Sequence, residues 1–209
     1  VKANSLSTIT LNNCNVGGTK DANGNITAET KSFMSFEGIE GSTLTINGGS
    51  FTCNGLEGIT AHVVWAQDGS TTVINDGTFD GKDNYNGFNV CASEDATVEI
   101  KGGEFLSAHS GSLYGDGTIL ASGGTFFDAI AVNRCAEGYA PVRNNEGTYN
   151  IAEAEAVIVN EGYTTLAAAI EAATAGQTVR LIGSIIDTEI MTIYKATQLD
   201  GKNKPVTPT

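Results

Sequence analysis

The chain has 209 residues, enough for one or two domains with a sizeable core. Twenty-six glycines, three prolines, 40% hydrophobic and only 17% charged residues argue against a helical bundle and against a disordered chain; they suit a β-protein with short strands and tight corners. A net charge of −13, from 24 acidic and 11 basic residues, repels phosphate backbones and argues against nucleic acid as a partner; its ordinary use is solubility.

In chain order, the first extended stretch is "ITLNNCNV", Ile9 to Val16. A polar insertion follows from Thr19 to Ser32, and then "LTINGGSF", Leu44 to Phe51, repeats the pattern: an extended run, a polar residue, a glycine corner and an aromatic. "TVINDGTF" (Thr72 to Phe79), "VEIKGGEF" (Val98 to Phe105) and "ILASGGTF" (Ile119 to Phe126) repeat it again. Taken alone, "TVINDGTF" reads as a hairpin, with Asn75, Asp76 and Gly77 as its turn. The copies make it the corner of a repeating coil instead. The aromatics Phe51, Phe79, Phe105 and Phe126 recur at steps of 28, 26 and 21 residues, within the range of repeat architectures.

Each of the first three aromatics is followed by a second apolar segment, "AHVVWAQ" from Ala61, "GFNVCAS" from Gly87 and "GSLYGDG" from Gly111, so each period holds about three short strands. Aligned on the corner, Ile46, Ile74, Ile100 and Ala121 form one column, and Leu44, Thr72, Val98 and Ile119 another. The four phenylalanines form a third. Asn47 above Asn75 predicts a side-chain amide ladder. Coils that bury such columns pair in parallel about 4.8 Å apart. The predicted fold is therefore all-β, a right-handed parallel β-helix (solenoid) of about six coils over residues 1–152, roughly 30 Å long at that spacing. "VRNNEGTY", Val142 to Tyr149, is either a degenerate last coil or a hairpin that ends the stack.

The pattern changes after Ile151. Residues 153–209 read as strand, helix and strand, followed by a linker-like tail, "KNKPVTPT". One short capping α-helix is expected near residues 164–175, with Thr164 as N-cap, an apolar stripe of Leu166, Ala169, Ile170 and Ala173, and Gly176 as its stop. Strands are expected at Ala156 to Val159, at Thr178 to Ile182 and within "EIMTIYKATQLDG". A start at Val1 without a leader is read as a processed or excised segment, and no apolar run reaches the roughly 18 residues of a membrane span. Cys14, Cys53, Cys91 and Cys135 permit two disulfides in three connectivities; free, partly buried thiols are the preferred reading, and no CxxC pair supports zinc.

Two stretches carry a family resemblance. "EGYTTLAAAIEAATAGQTVRLIGSI" resembles the N-terminal element of right-handed β-helix proteins of the pectin-lyase-like superfamily. "CAEGYAPVRNNEGTYNI", running into it, resembles an arrangement recurrent in large surface proteins of gut Firmicutes. The resemblance implies an extracellular, adhesin-like stalk module on a cell or virion surface. Similar coils in phage tail and capsid appendages make a virion component the alternative.

The superfamily also contains polysaccharide lyases and hydrolases, so a carbohydrate-active β-helix is a further alternative. A lyase of that type needs clustered carboxylates for calcium beside an arginine. Arg134, Arg143 and Arg180 all lie late in the chain, away from the middle coils. The hydrolase type needs paired aspartates with His–Gly and Arg–Lys motifs; no Asp–Asp pair occurs, and neither His62 nor His109 precedes glycine. Asp80 and Asp83 read as a solvated loop rather than as an inverting carboxylate pair. The Asp–Gly pairs at Asp68, Asp76, Asp80 and Asp116 read as turns rather than calcium ligands. No catalytic residue, metal ligand or cofactor is assigned. Trp65, Tyr85 and Tyr114, with Phe88 beside them, are the candidates for an aromatic platform that stacks on sugar rings. The partners expected are a cell-surface glycan or a host protein, and a homo-oligomer would protect open sheet edges.

Overall fold

The computed structural model describes residues 2–3, 6–16, 34–38, 40–53, 60–81, 86–183 and 198–200. Among the described residues it is mostly β, with one α-helix and one short 3₁₀ turn, and the chain divides into two compact units, Val1–Asp128 and Ala129–Thr209.

The first unit holds β1 (Lys2–Ala3), β2 (Thr8–Leu11), β3 (Cys14–Val16), β4 (Met34–Gly38), β5 (Thr43–Thr52), β6 (His62–Ala66), β7 (Thr71–Gly81), β8 (Val90–Ala92), β9 (Thr97–Ile100), β10 (Glu104–Ala108), β11 (Leu113–Tyr114), β12 (Thr118–Ala121) and β13 (Thr125–Phe126). One parallel sheet runs β1-β4-β6-β8-β11. In the other, β2 and β3 pair with β5, β5 with β7, β7 with β9 and β10, β9 with β12, and β10 with β13, all in parallel.

Parallel pairing between residues 21 to 35 positions apart puts like above like. Ile9, Leu44, Thr72, Val98 and Ile119 stand in register, as do Leu11, Ile46, Ile74, Ile100 and Ala121. Val16 stands beside Phe51, and Phe51, Phe79, Phe105 and Phe126 follow one another. From Phe51 to Phe126 the rings are fully buried and stacked, with centroids 5.1, 4.8 and 4.4 Å apart and planes that turn from 30° to 8° to 5°. Each ring fills the space over the next, so the core is a row of near-identical contacts.

The corners follow from the same stacking. "TVINDGTF" lies within the single strand β7, which pairs in parallel with β5 on one side and with β9 and β10 on the other. Its register shifts at the corner relative to β5, and Gly77 there has φ +131°. At the equivalent corner Gly49 has φ +122°, and a Cβ there would collide with the backbone carbonyl of Cys14 in the neighbouring strand. The amide ladder is longer than the sequence suggests: Asn75 Nδ2 donates to Asn47 Oδ1 (2.7 Å), and Asn47 Nδ2 to Asn12 Oδ1 (2.8 Å).

The second unit opens with the 3₁₀ turn Val132–Arg134, then β14 (Tyr139–Arg143), β15 (Tyr149–Glu153), β16 (Ala156–Ile158), β17 (Glu161–Tyr163), α1 (Leu166–Ala172), β18 (Thr178–Leu181) and β19 (Gln198–Asp200). "VRNNEGTY" closes the antiparallel hairpin β14–β15 rather than adding a further parallel strand. Asn144 Oδ1 accepts from the N–H groups of Glu146 and Thr148, which is why the chain turns back there. That hairpin belongs to the second compact unit, which begins at Ala129.

The sheet β17-β16-β18-β19 mixes two antiparallel pairings with one parallel one. The helix packs on it through Leu166, Ala169 and Ala173, which meet Ala156, Ile158, Val179 and Leu181, with Ile170 at the margin. Its N-cap is Thr165, one residue later than the sequence pattern suggests: Thr165 Oγ1 accepts from Ala168 N–H (3.2 Å), and the Glu155 carboxylate takes Leu166 N–H (2.7 Å). The helix ends at Ala172 with Ala173 as C-cap, and Gly176, at φ +86°, serves the following turn.

Candidate functional site

The aromatic candidates converge on the sheet β4-β6-β8-β11. Register places Trp65, Cys91 and Tyr114 side by side on successive strands. Phe88, just before β8, stacks on Tyr114 with centroids 4.5 Å apart and planes 11° from parallel. His62 lies face-on to Phe88 (5.9 Å) and edge-on to Trp65 (5.5 Å). Four rings thus form one cluster, with Tyr114 its exposed end at 57% accessibility. Trp65 is half-buried and held by its indole N–H, which donates to Ser93 Oγ (2.7 Å). Tyr85 lies outside the described residues.

His62 fixes the cluster. Its Nδ1 accepts from Phe88 N–H (3.2 Å), so the proton of the neutral ring sits on Nε2. Burial lowers its pKa to about 4 and keeps it neutral at physiological pH. The sequence marks it only as a histidine beside a "VVW" strand; its place between Trp65 and Phe88 needs the cross-strand register.

A concavity of about 410 Å³ lies wholly within the second unit, between the β16–β17 turn, the end of α1 and Tyr149. No sequence pattern points to it.

Arg134, Arg143 and Arg180 all fall in the second unit. Asp80 is half-buried on β7, while Asp83 is outside the described residues. Among the described residues no group of three or more His, Cys, Asp or Glu side chains is placed to hold a metal ion, and no helix is long and apolar enough to cross a membrane. All four cysteines are free thiols; burial pushes Cys53 up to about 12 and Cys135 up to about 11, which removes their thiolate reactivity.

No protein-family model matches the chain, and comparison with curated proteins and with solved structures finds no match to either.

Proposed function

We propose that the chain is a non-enzymatic module of an extracellular surface protein: a right-handed parallel β-helix that spaces and displays, and adheres to glycan through its aromatic face. The observation that carries this reading is the parallel pairing of the first unit, which resumes in register beyond each corner shift, so that phenylalanine and isoleucine stand over their own kind and Asn75 hydrogen-bonds to Asn47. Such an array grows by repeating one contact, which suits a stalk. The exposed edge of the His62, Trp65, Phe88 and Tyr114 cluster supports the adhesive part, because flat rings with polar rims stack on sugar faces.

The experiment uses the whole chain, acidic and neutral polysaccharides, and calcium. Retention on at least one immobilised glycan is expected, reduced in the double variant Trp65→Ala with Tyr114→Ala, with no new reducing ends and no unsaturated products. Appearance of either product makes the chain a polysaccharide-degrading enzyme and overturns the reading. Light scattering behind a sizing column separates the two structural settings: a monomer fits one link of a surface stalk, whereas a concentration-independent trimer moves the assignment to a virion appendage.

A further inference from the structure

The second unit contains a residue in the wrong place for stability. β16 and β17 are joined by the two-residue turn Val159–Asn160, with Ile158 paired to Glu161 across it. Val159 has φ +59° and is 78% exposed. A β-branched residue in the left-handed region is strained, and glycine, asparagine or aspartate is the relaxed choice at such a turn. An exposed valine side chain gains nothing from burial to offset that strain. It lines the pocket of about 410 Å³, together with Tyr149, Asn160, Glu161, Tyr163 and Gln177. Strain kept where a side chain meets a cavity is the pattern of a ligand clamp.

The lining selects the class of ligand. Two tyrosines offer flat apolar faces with hydroxyl rims, and Val159 adds an apolar edge. Gln177 Oε1 accepts from Thr174 N–H (2.8 Å), so its amide NH₂ is the group left to a ligand. Asn160 offers a donor and an acceptor, and the Glu161 carboxylate accepts from paired hydroxyls. The Tyr163 phenol is held protonated, by burial and by the neighbouring Glu161, and stays a donor. Glu161 is the one charged residue in the lining. A pocket with a carboxylate and no cation disfavours phosphate, sulfate and uronate. Its volume lies in the range of small-ligand sites, at the small end.

We propose that this pocket binds a single uncharged sugar residue, between Tyr149 and the Val159–Tyr163 segment. The site shares no residue with the aromatic cluster of the first unit and does not depend on that cluster binding anything.

The test is saturation-transfer NMR and calorimetry on the full chain with glucose, galactose, N-acetylglucosamine and N-acetylgalactosamine, and with glucuronate as the charged comparison. At least one uncharged sugar is expected to bind at millimolar concentration, and glucuronate more weakly. Tyr149→Ala is expected to weaken binding about tenfold, the scale of one lost aromatic contact. Glu161→Gln, an exposed and conservative change, is expected to weaken it several-fold without altering the circular dichroism spectrum. Val159→Gly is expected to raise the melting temperature and weaken binding together, whereas a merely structural valine would change only the first. Trp65→Ala with Tyr114→Ala leaves this binding unchanged if the two sites are separate. Absence of transfer to all four uncharged sugars overturns the proposal, as does binding that survives both Tyr149→Ala and Glu161→Gln, or glucuronate binding as tightly as the neutral sugars.

Discussion

The two units solve the problem of burying a β-chain in different ways. The first repeats one contact: Phe51 on Phe79 on Phe105 on Phe126, each ring fully buried and nearly parallel to the next. The second makes each contact once. A seven-residue helix fits a mixed sheet through small side chains, Ala156, Ala169 and Ala173, closed by Leu166 and Leu181. A repeated contact tolerates variation in loop length, because each strand need only match its neighbour. A unique contact depends on caps and turns that place a few residues correctly. The first unit should therefore fail by losing a rung and the second by losing a cap.

The sharpest way to break the comparison is Phe105→Ala. The ring stacks on both sides, so its removal leaves a cavity facing Phe79 and Phe126 at once. A destabilisation of about 3–5 kcal/mol is expected in chemical denaturation. Hydrogen exchange should show the loss centred on β7, β10 and β13 and fading toward β2. Uniform loss across the first unit would mean that it unfolds as a single block.

Next in size is a pH effect. His62 has a pKa of about 4 in the folded chain against 6.5 when unfolded. Below pH 6.5 the unfolded chain takes up a proton that the buried ring refuses. The neutral ring's contribution is complete above that pH, is lost as the pH falls toward 4, and changes no further below it. The loss is at most about 3 kcal/mol. His62→Asn keeps an acceptor for Phe88 N–H and removes the titration. Its stability curve should be flatter than that of the parent between pH 6.5 and 4, and identical slopes would refute the assignment.

How much of this was legible in the sequence follows from the same contrast. Columns are visible because parallel in-register stacking repeats residue type at fixed corners; Phe51, Phe79, Phe105 and Phe126 advertise one another. The "VRNNEGTY" stretch shares the corner composition but not the fold, because Asn144 turns the chain back on itself and composition alone does not distinguish coil corner from hairpin. The platform was half-legible: Trp65 and Tyr114 stand out as aromatics, but His62 joins them only through cross-strand register. The pocket was not legible at all. It is assembled from Tyr149, a turn and the end of a helix, and its mark is a valine where sequence rules expect glycine or asparagine.

Two smaller changes sharpen the difference between the units. Thr72 sits in the Leu44 and Val98 column, fully buried, and its Oγ1 has no hydrogen-bond partner. Thr72→Val matches its shape and removes the unpaired hydroxyl, so a gain of about 1–2 kcal/mol is expected in the first unit. In the second unit Thr165→Ala removes the oxygen that accepts from Ala168 N–H, and a loss of about 1 kcal/mol is expected. The Glu155 contact to Leu166 N–H still holds the helix start, so fraying should be confined to the first turn in exchange data. A thermal shift of equal size and sign for the two variants would erase the distinction between repeated and unique contacts.

The smallest effect tests whether the ladder adds to the columns or merely accompanies them. Asn47 is the middle amide, giving one hydrogen bond to Asn12 and taking one from Asn75. All three side chains are exposed, so water replaces much of what a substitution removes. Asn47→Ala is expected to cost about 0.5–1 kcal/mol, and Asn12→Ala, which removes one bond at the end of the row, about half of that. A double-mutant cycle on Asn12 and Asn75, which never touch, then isolates cooperativity carried through Asn47. Additive losses would make the ladder two separate surface contacts. Non-additive losses would mean that the amides polarise one another along the row, and that the first unit is held in register by its polar edge as well as by its phenylalanines.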